Sequence, residues 1–459
     1  MKIIEDSIFS FASFIWGYPL LLLLIGGGIY LLLISRFLPF RYFSHAIQVL
    51  RGKYDDPNDP GEISHFQALT TALSATVGMG NISGVAVAIA MGGPGAIFWM
   101  WISAIVGMST KFFTSSLAIM YRGKDTNGEL QGGPMYFIMV GLGEKWKSLA
   151  IFFSACAMIG ALPVFNVNQL TQAINDILLK PNGVVITNYT NLGIGVFLVI
   201  ITSFVILGGL KKISKVTANL VPAMVLLYFI LVVIILIVNI EVVPKYFLMI
   251  FTDAFSADFI KEESVLGGVV GALIILGIKR GAFSNEAGIG TAPMAHGAAK
   301  TDEPIREGLV AMLGPFIDTI IVCTLTALAI LVTGVWQTSD TNGVSLTATA
   351  FGNAMPGFGK YLLMICVAIF SISSLFSYSY YGTKSLSFLV GAKNKYLYNY
   401  LFIASIVLGA TSSLDTMINL IDSAFALMAI PTMFTTIILA PKVMKETKKY
   451  IEKLKNSRD

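Results

Sequence analysis

Two stretches of this 459-residue chain carry residue types that can do chemistry deep inside an apolar setting. The first reads Ser74-Ala75-Thr76-Val77-Gly78-Met79-Gly80-Asn81-Ile82-Ser83-Gly84 and lies midway along an apolar run over 66–91. Two glycines around one residue lower the cost of leaving helical geometry, and Asn81 or Ser83 can cap a helix that restarts there. The second reads Leu276-Gly277-Ile278-Lys279-Arg280-Gly281-Ala282-Phe283-Ser284-Asn285-Glu286-Ala287-Gly288, midway along a run over 264–295. A helix interrupted in hydrocarbon strands backbone N–H and C=O groups, each at a cost of several kcal/mol unless something polar completes it. A restarting half-helix offers N–H groups and positive dipole to an anion, and an ending half-helix offers carbonyls to a cation. A zwitterionic amino acid with Na⁺ would satisfy both ends together. Breaks are therefore expected at Gly78–Gly80 and at Gly277–Gly281, with Leu273, Leu276 and Gly277 lining the second side of a pocket.

The elements that must hold such a site are membrane helices. The chain is 55% hydrophobic and 12% charged, where a soluble domain carries about 25% charged residues. Apolar runs of about 20 residues suffice to cross a bilayer, and eleven are expected, near 16–36, 66–91, 95–121, 148–178, 191–209, 216–240, 264–295, 306–334, 357–385, 395–412 and 415–441. The fold class is an all-α polytopic membrane protein. The first span, within 1–40, stands apart behind a polar linker over 41–65. The remaining ten divide into a five-helix unit over 66–240 and another over 241–441, each opened by an interrupted helix, which outlines an inverted repeat. A charged tail follows over 442–459. Basic residues number 23 in one set of alternating loops and 4 in the other. That bias places the first set in the cytoplasm, the amino terminus outside and the carboxyl terminus inside the cell membrane. The first run lacks a basic leader and a small-residue cleavage site, so it is expected to remain as a span. Trp16, Tyr18, Trp99, Trp101, Trp146 and Trp336 fall near span ends, where interfacial rings sit well. Two short apolar segments, 246–259 and 344–351, are candidate outer-face helices, as surface packing or as lids.

With these residues in view a family resemblance can be stated. The run Gly92-Gly93-Pro94-Gly95-Ala96-Ile97-Phe98-Trp99-Met100-Trp101-Ile102-Ser103-Ala104-Ile105-Val106-Gly107 resembles the signature of the alanine or glycine:cation symporter family. Gln131-Gly132-Gly133-Pro134-Met135-Tyr136 and Phe283-Ser284-Asn285-Glu286-Ala287-Gly288 are similar to that family as well. The resemblance implies Na⁺-coupled uptake of alanine or glycine and a leucine-transporter-type fold. It implies that the Gly78 and Gly80 amides meet the substrate carboxylate, with Thr76, Met79 and Asn81 beside it. It also implies a sodium site from the Ser74 and Val77 carbonyls and the Ser373 and Ser374 hydroxyls, hard oxygen donors that suit Na⁺. The alternative on the same fold is a proton-coupled carrier or an exchanger.

Other residues admit two readings. Phe165 and Gln169 share a helical face and either touch substrate or make a packed ring and an interhelical hydrogen bond. Glu286, Asp318 and Asp422 are carboxylates in or near spans. Lys279 and Arg280 are candidate partners of Glu286, as a gate or as structural ion pairs. Lys111 near a span end is expected to snorkel. His45, His65 and His296 show no mutual ligand spacing, so no transition-metal site is expected. Cys156, Cys323 and Cys366 are expected as buried free thiols. Motifs of intramembrane hydrolases and of phosphate-binding ATPase loops are missing, which argues against an enzyme or a nucleotide-driven pump. No cofactor beyond the coupling ion and no nucleic-acid partner is expected. The partners are the amino acid, Na⁺ and lipid.

Overall fold

The computed structural model describes residues 2–256, 268–338, 341, 343–411 and 415–456. It is helical throughout, apart from a small antiparallel pair of strands joining Gly123–Lys124 to Leu130–Gln131. Among the described residues eight helices are long and apolar enough to cross a membrane, or nine if the bent pair His65–Thr76 and Gly80–Gly92 counts as one. Of the eleven expected spans, Gly268–Asn285 and Leu397–Thr411 are present as helices but fall outside that count. Residues 413–414, between the last two expected spans, and the end of the 246–259 segment lie outside the described residues.

The first interrupted helix follows its sequence closely. Ser64 caps the start, accepting from Gln67 N while Gln67 Oε1 accepts from Ser64 N at 3.0 Å, a reciprocal capping box. The helix stops at Thr76, where Val77 leaves helical geometry with ψ 90°. The chain resumes as a wide π turn over Gly80–Gly84, bent by 54° from the first half, and continues to Gly92. Gly93 (φ +73°) and Pro94 then turn it into the helix Gly95–Met120. That helix start is capped from outside, by Asp253 Oδ2 accepting from Gly95 N at 2.7 Å. Asp253 belongs to the helix Val243–Ser256, which covers the described part of the first short apolar segment, 246–259. The second forms Val344–Ala354, packed over the π turn, with Thr347 Oγ1 donating to Ile82 O at 3.4 Å.

One expectation about surface groups is corrected. Trp16 and Trp336 are buried within protein, Trp16 because its ring meets Phe283 and its Nε1 donates to Asp422 O at 3.0 Å. The charged tail continues the last helix: Asp415–Asn456 runs as one helix of 42 residues, roughly 60 Å long at the α-helical rise.

Candidate functional site

The site begins with one redirected hydrogen bond. In a continuous helix Gly78 N–H would donate to the Ser74 carbonyl four residues back. Here it donates to Asn81 Oδ1 at 2.8 Å. Asn81 Nδ2 in turn donates to Asp318 Oδ1 at 2.8 Å and to the Asp318 carbonyl at 3.0 Å. Asp318 Oδ2 accepts from Ser284 Oγ at 2.8 Å and Thr319 Oγ1 at 2.7 Å. Asp318 is fully buried, in a π-helical stretch over Phe316–Cys323. The first break is thus tied to the end of the Gly268–Asn285 helix through one carboxylate.

The second interruption is displaced from its expected place. Gly268–Asn285 runs unbroken through Gly277 and Gly281. Those glycines serve close packing instead: a Cβ on Gly277 would lie 2.5 Å from Ala96 O, and one on Gly281 would lie 2.8 Å from Ser103 Cβ. Small residues four apart let two helices approach, a pattern that in sequence resembles a weak point. The chain breaks at Glu286 to Thr291, where Glu286 (φ +53°), Gly288 (φ +88°) and Gly290 (φ +109°) all take left-handed backbone, before Ala292–His296 resumes the helix. A non-glycine residue held there is strained, and such strain gathers at working sites.

Between the two breaks lies a cavity with about 520 Å³ of unfilled space, its mouth included. Thr76, Gly78, Met79, Gly80 and Phe165 line it, as the sequence led one to expect, together with Glu286. Sequence reasoning missed Phe283, Tyr378, Asn166 and Phe425, which also line it. Tyr378 had a signal, since it lies four positions beyond Ser374 and shares its helical face. Leu273, Leu276 and Gly277 do not line this cavity. With the break moved onward, they pack at the start of Gly95–Met120, where Leu273 and Leu276 bracket Gly92. Gln169 also lies off the cavity, at 3.5 Å from Ser83 Oγ.

The serine pair occupies the facing helix, Gly359–Val390. Ser374 Oγ would lie 2.8 Å from a Cβ placed on Gly78, so hydroxyl and break are in contact. Ser373 and Ser374 both donate to the Phe370 carbonyl, at 2.9 and 3.0 Å. One helical turn away Ser74 Oγ meets Ser377 Oγ at 2.5 Å, and Ser377 Oγ donates to Thr71 O at 2.7 Å. The contacts across these two helices thus run from Ser74 to Ser377 and from Gly78 to Ser374, while Ser373 Oγ lies 3.6 Å from Met224 Sδ.

The expected pairing of Glu286 with Lys279 and Arg280 does not form. Glu286 accepts from Thr291 Oγ1 at 2.5 Å and Tyr378 Oη at 2.7 Å. Lys279 and Arg280 instead line a separate hollow with Asp422, Phe9 and Trp16. The cation in the field of Glu286 and Asp318 is Lys111, which is 2% exposed and does not snorkel. The three cysteines are buried and free, and no group of three or more His, Cys, Asp or Glu side chains among the described residues is arranged to hold a metal ion.

Two closures flank the cavity. Toward the hollow of Lys279 stand three rings: Phe165 meets Phe283 edge-on at 5.9 Å, and Phe283 meets Trp16 at 5.8 Å. On the side of the basic loops the closure is polar. Ile63 pairs with Ala299 as a parallel bridge, and Glu62 N donates to Ala298 O at 2.8 Å. Arg122 donates to the carbonyls of Gly297 (2.9 Å), Thr301 (3.0 Å), Pro60 (3.2 Å) and Ala299. Gly132 lies against Gly297 so closely that a Cβ would come within 2.7 Å of its Cα.

The chain resembles known proteins in sequence and in fold. The chain is 42% identical over 456 residues, covering 97% of it and 96% of the relative, to the sodium/alanine symporter AgcS of Methanococcus maripaludis. It is 33% identical over 459 residues to the probable sodium/glutamine symporter GlnT of Bacillus subtilis, covering 100% of this chain and 93% of that one. The crystal structure of MhsT in complex with L-phenylalanine superposes with a TM-score of 0.60 at 15% identity, over 83% of this chain and 89% of MhsT, which shows a leucine-transporter-type fold. The sequence profile of the sodium:alanine symporter family matches residues 1–459, and the chain belongs to that family.

Proposed function

We propose that this protein imports a small neutral amino acid, alanine or glycine, together with Na⁺ by alternating access. The observation that carries the reading is the redirected Gly78 amide. It releases the Ser74 carbonyl from its helical pairing with Gly78, at the point where Gly78 touches Ser374 Oγ. Na⁺ held by the Ser74 and Val77 carbonyls and those hydroxyls would tie the broken helix to Gly359–Val390. Binding of the ion would thereby complete the pocket wall, so that each ligand favours the state the other needs. Because Gly78 N–H is already engaged, the Met79 and Gly80 amides are left for the substrate carboxylate. The rings of Phe165, Phe283 and Phe425 favour a short side chain. The name of the 42% relative supports alanine over the larger glutamine. Eleven spans in a one-plus-five-plus-five arrangement, with the basic loops and carboxyl terminus in the cytoplasm, fit the helix order and the 23-to-4 bias.

A second reading, proton coupling, is favoured by the Glu286 carboxylate in the cavity wall. Uptake of labelled alanine, glycine and glutamine into liposomes under separate Na⁺ and pH gradients distinguishes the two. Replacing Ser373 and Ser374 with alanine should raise the Na⁺ needed for half-maximal uptake roughly tenfold, as expected for lost oxygen ligands. An unchanged Na⁺ requirement would count against the assigned ion site, and uptake driven by pH alone would favour the second reading.

A further inference from the structure

The polar closure contains a buried cluster that the transport site does not use. Glu307 is fully buried at the start of the Pro304–Ala311 helix. Its two carboxylate oxygens are each taken by a different histidine: Oε2 by His65 Nδ1 and Oε1 by His296 Nδ1. His65 is 2% exposed and His296 fully buried. An ionised carboxylate only accepts, so each imidazole presents its Nδ1–H. The two Nε2 atoms have no hydrogen-bond partner, His65 Nε2 lying 3.9 Å from Asp55. Arg306 and Arg122 are the cations in the field of the cluster.

The three residues sit on three elements around the two breaks, and the transport reading requires this side of the cavity to part when it opens. His65 opens the first broken helix, His296 ends the short half-helix after the second break, and Glu307 starts the next span. We propose that His65, Glu307 and His296 form the latch of the gate on the basic-loop side. They are positioning residues, which hold that gate shut while ligands load from the other side. The inference rests on the transport reading above. The physical reason is differential. In the closed state the carboxylate is out of water and both imidazoles are needed to satisfy it, so its bonds are strong and their loss is costly. In the open state water replaces either donor at little cost. The cluster thus stabilises the closed form over the open one, the only way a contact can bias such an equilibrium.

The test reads accessibility rather than uptake alone. Ala72 lies seven residues beyond His65 on the same helical face and is 2% exposed. In full-length protein with Cys156, Cys323 and Cys366 changed to alanine, Ala72→Cys reports opening through its rate of reaction with a membrane-impermeant maleimide in nanodiscs. His296→Leu, which removes the donor, should speed labelling roughly tenfold, and His65→Leu likewise. His296→Asn, whose side-chain amide places an N–H at the same distance along the side chain, should restore labelling to within about twofold of the parent. The half-saturating alanine concentration should rise in the leucine variants more than maximal uptake falls. Equal labelling in parent and His296→Leu overturns the proposal. So does equal acceleration in the asparagine and leucine variants, or a His296→Leu protein that does not fold while His296→Asn does, which would make the cluster a folding element. Sodium dependence measured on the parent is a separate readout, so failure of the coupling reading is distinguishable from failure of the latch.

Discussion

The two closures around the central cavity are built from opposite materials. Toward the hollow of Lys279 there are three rings in edge contact, Trp16, Phe283 and Phe165. Toward the basic loops there is a bridge between backbones, a guanidinium spread over four carbonyls, and a buried carboxylate shared by two imidazoles. Edge-on ring contacts are individually weak and can yield by side-chain rotation, whereas buried hydrogen bonds must be broken outright and their groups rehydrated. The closure on the basic-loop side is therefore held by more directional bonds than the aromatic one. On the alternating-access mechanism proposed above, opening costs most where those polar bonds are.

The largest test of that contrast is Arg122. Hydrogen bonds from a charged donor contribute roughly 1.5–3 kcal/mol each, and Arg122 makes four to the backbones at 60 and 297–301. Arg122→Ala should lower uptake roughly 100-fold. Arg122→Lys should recover only part, because an ammonium lacks the planar fork. Full recovery by lysine would show that charge alone seals this side and would break the contrast. Next is Asn81, which serves Gly78 and Asp318 together. Asn81→Ala strands a buried donor and leaves a buried acceptor a partner short, at about 1–3 kcal/mol each. It should lower the midpoint of thermal unfolding in detergent and weaken Na⁺ activation. A normal melting profile would show that the central network is not shared by the two breaks. The smallest effect is expected at Phe283. Edge contacts contribute about 0.5–1.5 kcal/mol beyond burial, so Phe283→Ala should speed release of bound labelled alanine roughly tenfold. It should leave accessibility from the basic-loop side unchanged. Opening of both sides at once would erase the distinction.

Legibility in the sequence followed the range of the interactions. The first break was readable because its cause is local: Gly78, Gly80 and Asn81 act within four residues of one another. The second was misplaced because Gly277 and Gly281 are glycine for the sake of another helix, and nothing in their own neighbourhood reports Ala96 or Ser103. Glu286 could be flagged as a costly carboxylate, yet its partners Tyr378 and Lys111 are remote in sequence. The histidines failed hardest. His65 and Glu307 are 242 positions apart, and local spacing holds no trace of their meeting. The serine pair came from family resemblance, and its contact with Gly78 from the packing of two helices.

The wide turn over Phe316–Cys323 has a geometric consequence for the centre of the molecule. On an α-helix two residues five positions apart point about 140° away from each other. Asp318 and Cys323 are five apart, yet both face the side-chain amide of Asn81, the sulfur at 3.4 Å. The extra residue per coil is what aligns them, and it also leaves the Asp318 carbonyl turned toward that amide. Shortening this coil by one residue would rotate the carboxylate away from its acceptor position while leaving the composition of the span almost untouched. The constraint on this region is therefore one of spacing as much as of side-chain identity.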